Sequence, residues 1–157
     1  MRRRALERID MEEIGLVCLF GLTAFDDIKT KQVRLAEIIG FGALGLLFNA
    51  IYQPHSLLSI FGGVMIGCLI YIYSIVSKEK IGKGDGLIVM VAGLYLGFSE
   101  TVMLLWISST LAAVVGTIMV KKHGARMDIE LPFVPFLLMG YLLIDIVNTI
   151  GGIIVCG

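Results

Sequence analysis

Two uncharged apolar runs, Leu57–Val76 and Val102–Val120, constrain this chain more than any other feature. A run of about 18 or more apolar residues without a charge is long enough to cross a bilayer as a helix. In hydrocarbon the backbone must satisfy its own hydrogen bonds, so such a run is read as a helix. The remainder agrees: 57% of the 157 residues are hydrophobic and mean hydropathy is +0.92, where a soluble domain is about 45–50% apolar. The reading is an all-α membrane protein, a polytopic bundle of about six transmembrane helices embedded in a lipid bilayer.

The six apolar segments fall at about 14–25, 36–52, 57–76, 87–98, 102–120 and 133–155. There is no Pro-, Gly- and Ser-rich linker and no low-complexity tract. Residues 1–157 therefore read as one membrane-embedded domain, with 1–13 a polar N-terminal segment. That segment opens Met-Arg-Arg-Arg, but Glu7, Asp10, Glu12 and Glu13 separate the arginines from the first apolar run. No small-residue cleavage site follows, so it is expected to be retained, as an amphipathic helix at the surface.

Charge decides orientation. The first, third and fifth connections hold Lys29, Lys31 and Arg34; Lys78, Lys80 and Lys83; and Lys121, Lys122 and Arg126. The second and fourth hold no Lys or Arg. Excess Lys and Arg mark the cytoplasmic side, so the odd connections are expected inside; only the arginines at 2–4 and 8 oppose this. Formal net charge is zero, which leaves no basic field for nucleic acid.

Two segments, 14–25 and 87–98, are short for a span of about 20 residues, and each abuts an acidic motif on the cytoplasmic side. Either those helices continue through the motif or the bilayer is thinned there. Carboxylates at such depth need a wetted, protein-lined cavity. The motifs are Phe25-Asp-Asp-Ile-Lys-Thr-Lys-Gln-Val33 and Ile81-Gly-Lys-Gly-Asp-Gly-Leu87. In the second, Gly82 and Gly84 flank the acid and permit close backbone approach. Two carboxylates brought together share a proton. The ionised one can take a proton from water while the protonated one donates to a carbonyl oxygen.

Other chemistries find little support. Cys18, Cys68 and Cys156 are dispersed and form no CxxC pair; they read as small apolar fillers, and the eight Met as adaptable packing. His55 and His123 fall in opposite connections, so no metal site and no cofactor is expected. Gly63/Gly67 and Gly93/Gly97 set small residues one turn apart, a packing face. Asp145, within the last segment, reads as a hydrogen-bonded structural residue, Glu37 as interfacial and Lys83 as a solvated loop lysine.

Gly82-Lys-Gly-Asp85, followed by Gly93 and Gly97, resembles the second catalytic motif of the type IV prepilin peptidase family. Asp27-Ile-Lys-Thr-Lys-Gln-Val-Arg34 resembles the first, in which Ile or Val stands six residues after the Asp; that register selects Asp27 over Asp26. Arg34 stands where Pro is usual, and Leu87 where Lys is common. Leu131-Pro-Phe-Val-Pro-Phe136 is similar to the segment that opens the family's last helix. The resemblance implies an aspartyl endopeptidase of the cytoplasmic membrane with Asp27 and Asp85 as its catalytic pair. The implied substrates are prepilin-like precursors, cut at the cytoplasmic face. Without the family's paired CxxC motifs, the chain resembles compact members serving tight-adherence pili or archaeal flagellin-like filaments. The rival reading is a non-enzymatic membrane protein, a small transporter or pilus assembly subunit, with the aspartates as ion or proton sites. A presenilin-like protease shares Gly-x-Gly-Asp but places its first aspartate after a Tyr.

Overall fold

The computed structural model of the chain describes residues 2–30, 34–52, 55–77, 82–123 and 132–156, with side chains described for 14–29, 34–52, 55–77, 82–122 and 132–148. Lys31, Lys78, Lys80, Arg126 and Leu131, on which parts of the sequence reading rest, lie outside the described residues, as do the side chains of His123 and Cys156. Among the described residues the helical stretches follow in the order α1 Arg2–Thr30, α2 Leu35–Tyr52, α3 Leu57–Val76, α4 Lys83–His123 and α5 Val134–Cys156. Among the described residues there is no strand. Leu35–Tyr52, Leu57–Val76 and Lys83–Lys122 are each long and apolar enough to cross a membrane, while Val134–Asn148 is a shorter apolar helix. The protein is an all-α membrane protein.

All six expected segments are helical, the fourth and fifth lying within α4. The segments at 87–98 and 102–120 are two helices that meet within α4 at Gly97, whose φ of 70° and ψ of −169° are not helical. A positive φ of that size is open to glycine at little cost and strained for other residues, so the chain passes from one helix to the next where its sequence permits it. Residues 2–13 are helical. They begin α1, which continues through Asp26 and Asp27 to Thr30. Of the two expectations for the short first segment, continuation through the acidic motif is the one found.

Local chemistry starts and stops α3. Ser56 is its N-cap, with Oγ accepting from Ser59 N at 3.3 Å, and the Ser77 N–H closes the last turn on Tyr73 O at 2.8 Å. Capping of this kind satisfies backbone groups that a helix end leaves open.

Close packing then sets directions. Gly63 lies against Gly93, Gly67 against Met90 and Gly86 against Tyr71. Numbers rise along α3 as they fall along α4, so α3 and the first half of α4 are antiparallel. A Cβ on Gly63 would stand 2.7 Å from Gly93 O, which is why small residues are required where the backbones meet. Gly42 meets Val91 and Gly45 meets Tyr95, so α2 runs parallel to that half of α4. Phe20 and Tyr141 meet in a tilted ring contact at 5.8 Å between centroids, and with Asp27 beside Val134 this makes α1 and α5 antiparallel. The core lies between them: Leu16, Leu19 and Phe20 from α1, Ile88, Val89 and Ala92 from α4, and Val134 and Leu137 from α5 are almost wholly buried.

Candidate active site

These directions bring one end of each of four helices together: the end of α1 and the starts of α2, α4 and α5. The acidic motifs occupy two of those ends.

Asp27, near the end of α1, is buried. Its Oδ2 accepts a 3.2 Å hydrogen bond from the backbone N–H of Val134, the first residue of α5. The first turn of a helix has N–H groups without intrahelical partners, and here they are accounted for in order. Val134 N–H goes to Asp27, Pro135 has none to offer, and Phe136 and Leu137 both return to Phe133 O, at 3.0 and 3.2 Å. The Pro-Phe-Val-Pro-Phe segment therefore does more than open the last helix. By withholding a donor at Pro135 it leaves Val134 as the donor that faces the carboxylate.

Asp85 is half-buried in the first turn of α4. Its N–H bonds Gly82 O at 3.1 Å, and its carboxylate takes a hydrogen bond from the Gly82 backbone in return. The carboxylate supplies one half of a capping box, while the Asp85 N–H closes the first turn on the Gly82 carbonyl, so donors at the helix entrance are satisfied. The carboxylate consequently lies over Gly82, where a Cβ would stand 3.2 Å from Asp85 Oδ2. The negative charge of Asp27 acts on the Asp85 carboxyl. The two residues named by the sequence motifs are therefore electrostatic neighbours, although 58 residues of chain (85 − 27) separate them. Gly84 is half-buried in the same turn.

Asp26 is turned to other work. Arg34 Nε lies 3.0 Å from Asp26 Oδ2, an ion pair in which the arginine side chain is 71% exposed and the aspartate 12%. The residue standing in the usual Pro position thus engages the neighbouring acid. So exposed a cation is screened, and pairs of this kind contribute about 0–1 kcal/mol.

Among the remaining acidic residues, Glu37 is half-buried in the first turn of α2, with Oε2 closed off from solvent. Asp145 is half-buried about 16 Å along α5 from Val134, away from the assembled ends. Lys83 is exposed beside Asp85. Among the described residues no group of three His, Cys, Asp or Glu side chains could hold a metal ion. Sequence reasoning did not single out Val134, because it contributes through its backbone; the flanking prolines were the signal that could have found it.

Comparison with known proteins adds the following. A family model described as the type IV leader peptidase family matches residues 14–117, which takes in both acidic motifs. The prepilin leader peptidase/N-methyltransferase of Stutzerimonas stutzeri is 29% identical over 130 residues, covering 78% of this chain and 45% of that protein. The chain thus spans less than half the length of that relative. No solved structure matches the chain.

Proposed function

The chain belongs to the type IV leader peptidase family, and from that premise we propose that it is an aspartic endopeptidase that removes the N-terminal leader of prepilin-like precursors at the cytoplasmic face of the cytoplasmic membrane. Asp27 and Asp85 are its catalytic pair. The single observation that carries this reading is the electrostatic pairing of Asp27 with Asp85 at one end of the bundle, each held by a backbone N–H at a helix start.

Two carboxylates in each other's field hold one proton between them. The ionised member takes a proton from a water molecule as that water adds to the scissile carbonyl carbon. The protonated member gives its proton to the carbonyl oxygen. The tetrahedral intermediate then collapses: the carboxylate that gave its proton takes one back from a hydroxyl of the intermediate, the C–N bond breaks, and the leaving amine takes the proton acquired from water, which restores the pair. Gly82 leaves room over the Asp85 carboxylate for these atoms, and the Val134 N–H fixes the rotamer of Asp27.

The basic connections next to these helix ends support the cytoplasmic orientation, and the Stutzerimonas stutzeri relative's name supports the substrate class. The test is cleavage of a prepilin-like precursor by the protein in liposomes, with Asp27→Asn and Asp85→Asn as the arms that report the pair.

A further inference from the structure

The two acids sit on helices that meet each other only sparsely: α1 packs chiefly against α5, and α4 chiefly against α3. Their spacing is therefore set through third helices. On the α1 side the Val134 N–H of α5 holds Asp27. On the α4 side the contact is made by the residue next to Asp85. Gly86 is buried, and a Cβ there would stand 2.7 Å from Tyr71 N, 2.8 Å from Tyr71 Cα and 2.9 Å from Tyr71 Cβ. Two of those atoms are backbone and the third is fixed to it, so no change of rotamer makes room. The register of the two helices runs on past this point. Gly63 meets Gly93, Gly67 meets Met90 and Gly86 meets Tyr71, so the next turn of α3 brings Ser74, which is wholly buried, level with Gly82 and Lys83. The end of α3 is a seat for the turn that carries Asp85.

We infer that Gly86 is a positioning residue for Asp85, because its missing side chain lets the first turn of α4 rest directly on the α3 backbone at Tyr71; this rests on the reading of Asp85 as catalytic. Carbon atoms in contact lie about 3.5–4.0 Å apart, so a methyl group at position 86 must open the seat by about 0.7 Å or more. Gly67 against Met90 and Gly63 against Gly93 hold the rest of the helix pair together, which directs the opening to the end where Asp85 lies. A misplacement of about 1 Å is enough to cost a positioned catalyst about 100-fold. No acidic residue lies on α3, yet α3 fixes where one of the two acids stands.

The test compares two like clashes on one helix pair. A Cβ on Gly63 would also stand 2.7 Å from a backbone atom of α4, Gly93 O, but about 12 Å along that helix from Asp85. With the protein in liposomes and a prepilin-like precursor as substrate, Gly86→Ala is expected to lower kcat about tenfold or more with KM moved less than about threefold. Gly63→Ala is expected to leave both within about threefold. The infrared carbonyl band of the carboxyl that holds the pair's proton, assigned by its change in Asp27→Asn and Asp85→Asn, should move in Gly86→Ala and stay in place in Gly63→Ala. Ser74→Thr adds one methyl group from the α3 side and keeps the hydroxyl. It is expected to lower kcat and move the band in the same sense, and it carries the test if Gly86→Ala does not fold. An unaltered kcat overturns the inference, as does a lowered kcat with the band unmoved. Equal losses in Gly86→Ala and Gly63→Ala also overturn it, since packing anywhere along α3 would then suffice. Full activity in Asp85→Asn, with the band still moving in Gly86→Ala, would instead overturn the catalytic reading and leave the seat standing.

Discussion

The backbone N–H of Val134 donates to Asp27 Oδ2 at 3.2 Å across 107 residues of sequence. It joins the end of α1 to the start of α5. The same carboxylate lies in the electrostatic field of Asp85 at the start of α4, so three helices share one acidic centre.

Replacing either acid by its amide should stop the reaction and spare the fold. Asp27→Asn and Asp85→Asn are expected to lower cleavage of a prepilin-like precursor by at least about 100-fold, the scale of a lost general acid or base. Both should still insert, because an amide oxygen at position 27 can accept from Val134. Asp26→Asn removes a screened ion pair worth at most about 1 kcal/mol and should stay within a few-fold of wild type. Near-wild-type turnover by either amide variant removes that residue from the pair, and inactivity of Asp26→Asn alone shifts the register by one.

Gly82 is expected to matter because of what lies over it. In Gly82→Ala the new Cβ would stand 3.2 Å from Asp85 Oδ2, which crowds the carboxylate. Cleavage should fall about 10- to 100-fold with the melting temperature little changed. Turnover equal to wild type would show that the carboxylate is free to move aside.

Helix packing makes a different demand at Gly63. A Cβ there meets Gly93 O at 2.7 Å, whereas one at Gly40 meets nothing within 4 Å. Gly63→Ala should destabilise the protein by about 1–3 kcal/mol in detergent unfolding, and Gly40→Ala should be neutral or slightly stabilising. Equal stability in the two variants would mean that α3 and α4 are not packed backbone to backbone.

Orientation is open to labelling. Single cysteines at Lys31, Lys80 and His123 are expected to react with a membrane-impermeant maleimide only from the cytoplasmic side, and one at His55 only from outside. The expectation follows from the Lys and Arg that crowd the odd connections. The reverse pattern would place the acidic pair on the outer face.

Chelation distinguishes an acid pair from metal ligands. No three candidate ligands gather among the described residues, so cleavage should proceed at an undiminished rate in excess chelator and resist serine- and cysteine-directed reagents. Loss of activity in chelator, restored by a divalent cation, would recast Asp27 and Asp85 as ligands.

Class and candidate pair were both legible in the chain, because each is written locally. Uncharged length makes Leu57–Val76 a span whatever surrounds it, and glycines beside Asp85, with Val33 six residues after Asp27, are features of short segments. What could not be read were consequences of contact. At the break in α4 beside Gly97, Asn49 and Ser59 take up Leu94 O and Phe98 N–H; hydropathy separates 87–98 from 102–120 but does not say which side chains of other helices close that break. Asp26 and Asp27 are adjacent and chemically alike, and periodicity cannot assign one to Arg34 and the other to Val134. That assignment needs the starts of α2 and α5 to lie on different sides of α1. Transfer to lipid is a sum over each segment's own residues and so is fixed by sequence, whereas a hydrogen bond spanning 107 residues exists only once tertiary packing has brought its donor and acceptor together.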